Sequence, residues 1–193
     1  ENVKKRYSIK FKKYIILLWH PVTSKIKSLK NDTNKIINFL IKLKRNIVVI
    51  YPNNDPGSNQ IINVYNKIKN KKFKILKSLR FENFLTLLKN SDFIIGNSSS
   101  ALYEAPIFNT PSINIGDRQF RRLNLSSIKS FELDSLSEKS LNNFLFKFKP
   151  SGKLIFGMGN SDKKFVNILK KKDFWKTSKQ KFFSDGNIYG NYK

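Results

Sequence analysis

The sequence predicts an α/β fold built on a doubly wound parallel sheet. Short apolar stretches rich in isoleucine and valine alternate with amphipathic stretches of helical period, which is the pattern of repeated β-α units. The first apolar stretch, residues 14–19, is apolar throughout, as expected of a central strand covered on both faces. A chain of 193 residues has room for one good-sized domain and a tail.

The elements of this fold can be assigned in chain order, although their order in the sheet cannot. We expect strands at residues 14–19, 46–51, 73–76, 93–95, 112–115 and 130–133. We expect helices at residues 32–44, 61–68, 81–88, 135–148 and 164–169, and another that begins at the serines after the fourth strand. Asn31, Asp32 or Thr33 can cap the first helix, and Ser135 with Glu138 has the spacing of a capping box.

The chain is strongly basic, with a formal net charge of +25 and an isoelectric point near 10.2. Such a charge is typical of proteins that bind nucleic acid, so a basic nucleic-acid-binding module is one hypothesis. However, the lysines are scattered among asparagines and isoleucines, as an AT-rich coding bias would also produce. We therefore expect no nucleic-acid partner, and the positive field would attract any anionic ligand.

The absence of cysteine limits the chemistry and suggests a location. Disulfides, thiolate nucleophiles and cysteine-ligated zinc are excluded, and a reducing cytoplasm suits the chain. No apolar run has the length of a membrane span, and the first residues do not resemble a signal peptide. Because the chain also begins without methionine, we expect a cytoplasmic fragment with no membrane partner.

The densest group of polar residues follows the strand predicted at residues 93–95. A small-residue turn leads into three serines where a helix would begin, and the residues concerned are Gly96, Asn97, Ser98, Ser99 and Ser100. Free backbone N–H groups, the positive end of the helix dipole and the hydroxyls make such a junction suitable for a phosphate. A simple N-cap is the alternative interpretation of the serines.

Three charged residues later in this region extend the candidate site. Glu104 can accept hydrogen bonds from two neighbouring hydroxyls, as on a ribose, and we place it in the early turns of the helix. Arg118, in the turn at residues 116–119, can bind a phosphate with its forked guanidinium, and Arg122 is a second candidate. Solvated surface charges are the alternative interpretation of both arginines.

Polar residues also follow the first two predicted strands. His20 comes directly after the first strand, and Asn53 and Asp55 come after the second. Ligands of open α/β sheets bind at the carboxyl ends of the strands, so these residues are candidates for the same site. Packing of His20 against Pro21, and an ordinary turn at residues 52–58, are the alternative interpretations.

Six motifs along the chain together resemble one enzyme family. They are HPVT at 20–23, PNNDPGS at 52–58, GNSSS at 96–100, EAP at 104–106, NIGDRQ at 114–119 and FGMGN at 156–160. In this order they resemble the hydrolysing UDP-N-acetylglucosamine 2-epimerases of sialic-acid and related nonulosonic-acid pathways. Arg121 and Ala101 stand where the family commonly has glycine, and Met158 stands for an aspartate, which leaves local loop geometry and substrate choice open.

The resemblance implies a fold and a division into domains. The family has two Rossmann-like halves facing across a cleft, the glycosyltransferase-B arrangement, and this chain resembles the carboxyl-terminal half. We expect a Rossmann-like UDP-binding domain at residues 1–172 and a partly helical tail at 173–193. The tail carries Phe174, Trp175, Phe182 and Phe183, which we expect to pack on the missing amino-terminal half; base stacking is the alternative.

The resemblance also implies an activity: conversion of UDP-N-acetylglucosamine and water to N-acetylmannosamine and UDP, with no metal and no cofactor. It implies a catalytic role for His20. It also implies UDP and sugar contacts by Asn53, Asp55, Ser98, Ser99, Glu104 and Arg118. A second group of implied contacts is Gly96, Asn97, Ser100 and Arg122. The proton-handling carboxylates are expected in the missing half, and a second copy of the chain is a further candidate partner. A UDP-2,4-diacetamido-2,4,6-trideoxy sugar as substrate, or a non-hydrolysing epimerase, are the alternatives.

Overall fold

Six parallel strands form the centre of the computed structural model, which describes residues 3–150 and 156–180. The strands are β1 Ile15–Leu18, β2 Ile47–Ile50, β3 Phe73–Leu76, β4 Ile94–Gly96, β5 Ser112–Ile115 and β6 Ile128–Phe131. Their order in the sheet is β3-β2-β1-β4-β5-β6, and every neighbouring pair is parallel. The predicted doubly wound parallel sheet is confirmed.

Helices connect the strands. The α-helices are α1 Val3–Arg6, α2 Leu29–Lys42, α3 Ser58–Tyr65, α4 Phe81–Lys89, α5 Ser100–Tyr103, α6 Glu138–Lys147, α7 Ser161–Leu169 and α8 Lys172–Trp175. Three short 3-10 helices add to them at Thr23–Lys25, Ala105–Phe108 and Leu133–Ser135. The chain divides into two compact units, residues 1–153 and 154–193, so the sheet belongs entirely to the first unit.

Two apolar layers enclose the sheet, because successive side chains of a strand point to opposite faces. Leu17 of β1 joins the layer formed with α2, α3 and α6, whereas Leu18 joins the layer formed with α4 and α5. Ile15, Ile16 and Leu17 are fully buried. Burial on both faces explains why β1 reads as a continuous apolar run.

The strand order reverses direction at the centre of the sheet. From β1 the chain moves outward through β2 to β3, and it then returns to place β4 on the other side of β1. The loops that leave β1 and β4 therefore diverge, which opens a crevice at the carboxyl ends of these two strands. This crevice is the topological switch point of the fold.

The predicted start of α2 is wrong by three residues. The helix begins at Leu29, so the predicted caps Asn31, Asp32 and Thr33 lie inside it. Leu29 is buried, and the Thr33 hydroxyl donates to the Leu29 carbonyl at 2.7 Å while accepting from the Trp19 indole at 3.3 Å. Core packing of the first turn thus outweighs the local capping preference.

The predicted capping box of α6 is also wrong. Ser135 ends a 3-10 turn, and the helix begins at Glu138 with Ser137 and Ser140 forming the reciprocal box. Leu133 and Leu136 pack against the core and so keep the chain out of the helix until Ser137. The strand predicted at residues 130–133 lies two residues earlier, at β6, a shift that preserves which side chains face each layer.

The second unit contains α7 and α8. The Trp175 indole donates to the Leu169 carbonyl at 2.7 Å, and the Phe174 and Trp175 rings meet edge to face. Both aromatic side chains are exposed within the described residues. Phe182 and Phe183 lie outside those residues, and the boundary predicted at residue 172 stays a prediction. Across the described ranges, every helix is too short or too polar to span a lipid bilayer.

Candidate functional site

A polar cleft of about 440 Å³ lies at the topological switch point. Its lining comes from the ends of β1 and β2 and from the segments that follow the first five strands. The predicted residues in this lining are His20, Asn53, Ser98, Ser99, Ser100 and Arg118. The sheet thus brings together side chains that are widely separated in sequence, as predicted for the carboxyl edge of a parallel sheet.

Gly96 allows the two central strands to approach closely at the base of the cleft. Its φ is +141°, and a Cβ at this position would lie 2.1 Å from the carbonyl oxygen of Leu18. No side chain fits there. Gly96, which belonged to the second group of predicted ligand contacts, has a backbone role in the described structure.

Asn97 joins the end of β4 to the residue that follows β1. Its Oδ1 accepts from the backbone N–H of His20 at 2.7 Å, and its Nδ2 donates to the His20 carbonyl at 2.9 Å. The residue is fully buried. Its amide therefore takes the place of the next rung of the sheet and fixes the main chain of His20.

His20 is held as a neutral hydrogen-bond donor. Its Nδ1 accepts from the backbone N–H of Asn53 at 3.1 Å, so a neutral ring carries its proton on Nε2. Burial, and to a lesser extent the positive charge of Arg118, lower the pKa of His20 to about 4, against the opposing effect of Asp55. At neutral pH the ring therefore offers an Nε2–H group.

The loop after β2 holds Asn53 in place. The Ser58 hydroxyl lies within hydrogen-bonding distance of two carbonyl oxygens of the loop, those of Asn53 and of Asp55, the latter at 2.6 Å. Gly57 has a left-handed φ of +93°, which turns the loop into α3. Asn53 is exposed and lines the cleft, and its backbone N–H donates to the His20 ring.

Arg118 reaches across the switch point from the loop after β5. Its Nη1 donates to the Asn97 carbonyl at 3.1 Å, and its Nη2 lies 3.8 Å from the Asp55 carboxylate. Burial lowers the pKa of the guanidinium, Asp55 raises it and Arg122 lowers it again, so the charge of Arg122 acts on this site although its side chain is exposed. Arg118 is thus a cation held partly buried at the edge of the cleft.

The serine run begins a helix of only one turn. Ser98 is buried, and its Oγ accepts from the backbone N–H of Ser100 at 3.3 Å. Ser99 occupies the N-cap position without a side-chain capping bond. Capping therefore accounts in part for Ser98, which bonds the first residue of the helix, but not for Ser99; all three serines line the cleft.

Glu104 stands at the end of α5, not in the early turns of a longer helix as predicted. One of its carboxylate oxygens, Oε2, is buried and has no hydrogen-bond partner within residues 3–150 and 156–180. A buried carboxylate oxygen is costly unless a donor satisfies it. Glu104 is not in the lining of the cleft, so the structure does not bring it together with His20, the serines and Arg118 there.

Two groups of residues were not predicted from the sequence, one in the cleft lining and one buried beside Asn97. Lys77 and Ser78 line the cleft from the loop after β3, and Phe81 lines it from the first turn of α4, where it is 59% exposed. Their position after a predicted strand was the available signal. Gln119 lies inside the NIGDRQ motif and donates from Nε2 to the Asn97 carbonyl at 2.9 Å while being only 4% exposed.

A second, smaller cavity of about 190 Å³ lies at the ends of β5 and β6. An ion pair of 2.7 Å joins Lys25 to Asp117 in its lining, and another of 2.6 Å joins Lys35 to Asp134 beside it. The hydrogen bond to Lys25 lowers the pKa of Asp117. We call these two pairs the β5–β6 ion pairs.

The strand order and the polar crevice at the switch point define a Rossmann-like α/β domain. A model of the UDP-N-acetylglucosamine 2-epimerase family matches residues 1–170, so the chain belongs to this family. Among solved structures, the UDP-GlcNAc 2-epimerase of Methanocaldococcus jannaschii in complex with UDP-GlcNAc and UDP superposes with a TM-score of 0.69 at 24% identity. The superposition covers 88% of this chain and 48% of the M. jannaschii chain. The fold is the Rossmann-like half of a glycosyltransferase-B-type enzyme.

Curated relatives agree with this membership. The chain is 33% identical to a UDP-N-acetylglucosamine 2-epimerase of Neisseria meningitidis serogroup B, over 97% of this chain and 51% of that protein. It is 32% identical to a GDP/UDP-N,N'-diacetylbacillosamine 2-epimerase (hydrolyzing) of Campylobacter jejuni, over 72% of this chain and 37% of that protein. The chain spans about half the length of the first relative and less of the second.

Proposed function

We propose that the chain is the UDP-binding half of a hydrolysing UDP-N-acetylglucosamine 2-epimerase. The observation that carries the proposal is the cleft at the switch point, where the His20 Nε2–H and the Arg118 guanidinium stand beside three serines. These donors suit a diphosphate. Family membership and a relative solved with UDP-GlcNAc and UDP support the nucleotide sugar as its carrier.

The predicted residues other than Gly96 and Asn97 each have a role in this proposal. Ser98, Ser99 and Arg118 bind the diphosphate, and His20 donates a hydrogen bond to it as it leaves, because fixed donors stabilise developing charge. Glu104 accepts from the ribose hydroxyls through its unpartnered oxygen. Asn53 and Asp55 complete the site, with Ser100 and Arg122 as further contacts.

The chemistry requires a base that lies outside this chain in our proposal. That base removes the proton from C2 of the sugar, and the C1–O bond to UDP breaks with its electron pair leaving on the phosphate, which gives a glycal. Water then adds across the double bond, with hydroxyl at C1 and a proton on the opposite face of C2. N-acetylmannosamine and UDP result.

A second substrate has specific support from the Campylobacter jejuni relative, whose name specifies N,N'-diacetylbacillosamine. A UDP-2,4-diacetamido-2,4,6-trideoxy sugar would use the same diphosphate and ribose contacts, and would differ at the part of the sugar that faces away from them. Substrate competition in the complete protein separates the two sugars. A non-hydrolysing epimerase is distinguished by the absence of free UDP.

The proposal extends to the setting of the enzyme. We assign it to cytoplasmic synthesis of sialic or related nonulosonic acids. We also assign the aromatic residues of α8 to a contact with the other half of the protein. The chain of 193 residues alone should then bind UDP weakly and turn over nothing, because an open cleft leaves its charges in water.

The test uses the complete protein and UDP-N-acetylglucosamine in heavy water, followed by NMR. We expect release of UDP, appearance of N-acetylmannosamine and incorporation of deuterium at C2. Deuterium incorporation without release of UDP would support the non-hydrolysing alternative. Sustained formation of N-acetylmannosamine by residues 1–193 alone would contradict the assignment of the base to the other half.

A further inference from the structure

A buried chain of hydrogen bonds connects Gln119 to His20 through Asn97. Gln119 donates from Nε2 to the Asn97 carbonyl at 2.9 Å, and the Asn97 amide bonds both backbone groups of His20 at 2.7 and 2.9 Å. Asn97 is 0% exposed, and the other two residues are 4% exposed. Water therefore cannot replace these bonds without opening the core.

The Asn97 amide extends the sheet beyond its last paired residues. The β1–β4 pairing ends at Leu18 and Gly96, and the Asn97 N–H still donates to the Leu18 carbonyl at 3.2 Å. His20 lies past that point, where the two strands diverge. One side chain thus supplies the two hydrogen bonds that a neighbouring strand would otherwise provide, and it fixes the backbone from which the His20 ring projects.

Gln119 secures Asn97 independently of Arg118. The Asn97 carbonyl accepts from both residues, but the Arg118 side chain is 27% exposed and borders the cleft, so an anion there competes for its guanidinium. Gln119 is buried and does not line the cleft. Its bond to Asn97 remains whichever way Arg118 points.

We propose that Asn97 and Gln119 are positioning residues that fix the His20 hydrogen-bond donor, and that Asn97 is not a ligand contact. This changes the sequence-based assignment of Asn97 to the second group of substrate contacts. The proposal rests on the proposed function only for the role given to His20. Its structural content, the fixed backbone and ring of His20, is testable without turnover.

The kinetic test compares Gln119→Met and Asn97→Ala in the complete protein. Gln119→Met keeps side-chain volume and removes the donor, so kcat should fall about tenfold with KM within about twofold, as for a displaced catalytic group. Asn97→Ala should lower kcat by about a hundredfold. The double variant should be no slower than Asn97→Ala, because both changes break one chain of bonds. Additive losses would overturn the linkage.

The second readout is the tautomer of His20, observed by NMR in protein labelled with ¹⁵N-histidine and assigned with His20→Gln. We expect the Nε2–H form in the wild type and a mixture of tautomers in Gln119→Met. That milder variant keeps the test decisive if Asn97→Ala does not fold. Thr110→Val is the matched control, because it removes a buried bond to the Leu88 carbonyl at the opposite edge of the sheet.

The two readouts separate the two proposals. A wild-type protein that releases no UDP, but whose His20 tautomer changes in Gln119→Met and not in Thr110→Val, would contradict the proposed function and support the positioning. An unchanged His20 spectrum in folded Gln119→Met, with an unchanged kcat, would overturn the positioning and leave the proposed function in place.

Discussion

Two polar clusters lie at the carboxyl edge of the same sheet and are built in opposite ways. At the switch point, His20, Asn97 and Gln119 are nearly inaccessible and bond mainly to backbone groups. At the β5–β6 ion pairs, Lys25 and Asp117 are each about half exposed, and two flexible side chains form the pair. Main-chain groups hold the first cluster, whereas the second depends on exposed side chains that lose rotamer freedom when they pair.

This difference distinguishes preorganised hydrogen-bond donors, which can bind a ligand, from solvated surface charges. A donor held by the main chain loses no conformational freedom when a ligand arrives, so its full interaction energy is available. An exposed ion pair has a small interaction energy, and its interaction with a ligand would also be small, because water and salt screen its charges. Burial and backbone anchoring, more than charge, therefore identify the site on this very basic protein.

The largest expected effect is on stability, and it comes from comparing two glycines, one next to each cluster. Gly96→Ala places a Cβ 2.1 Å from the Leu18 carbonyl at a φ of +141°, so we expect a loss of at least about 4 kcal/mol or failure to fold. Gly116→Ala, at φ +72° with open space, should cost only roughly 1–2 kcal/mol. Urea unfolding measures both. Equal losses would mean that the close approach of β1 and β4 is not needed.

Acid should weaken the switch-point cluster through His20. The folded-state pKa is about 4 and the unfolded value is 6.5, so the unfolded chain binds the proton first as pH falls. Stability contributed by the neutral ring is present above pH 6.5 and decreases by about 3 kcal/mol as pH falls to about 4. Subtracting the pH dependence of His20→Gln isolates this residue. An NMR titration midpoint near 6.5 in the folded protein would contradict the expectation.

Glu104→Gln should weaken UDP binding by about 1–3 kcal/mol, because the amide keeps the shape and loses the charge-assisted acceptance from ribose hydroxyls. Calorimetry with UDP measures the loss, and UDP lacking the ribose hydroxyls should bind the two forms equally. Glu82→Gln is the matched control, since Glu82 is an exposed carboxylate near the start of α4. Unchanged affinity in folded Glu104→Gln would make Glu104 an ordinary helix-end carboxylate.

The smallest effect is expected at the β5–β6 ion pairs. Lys35→Ala and Asp134→Asn should each leave the midpoint of urea unfolding nearly unchanged, and high salt should reduce any change further, because both side chains are exposed. UDP affinity should be the same as in the wild type. A loss of UDP binding in Asp134→Asn would mean that the two clusters are not independent.

Local sequence patterns predicted most of the fold and missed what depends on long-range pairing. The apolar runs located all six strands, and Ser112–Ile115 was predicted to the residue. The start of α2 was misplaced because Leu29 is buried in the core, and capping residues give no information about that packing. The positioning roles proposed for Asn97 and Gln119 depend on the adjacency of β1 and β4, and Asn97 and His20 are 77 residues apart. The motifs predicted that Arg118 and Ser98 lie at one candidate site, and both line the same cleft. The motifs do not distinguish residues that would contact a ligand from residues that position others.

The claim that His20 is a fixed, neutral donor to UDP is tested most directly by a UDP titration of ¹⁵N-histidine-labelled protein. His20, the single histidine of this chain, is assigned by substitution. We predict a saturable shift of the His20 Nε2–H resonance while Nδ1 remains unprotonated, since UDP accepts the hydrogen bond of a neutral ring already held in place. Saturable UDP binding that leaves the His20 resonances unmoved, or that protonates Nδ1, would contradict the account.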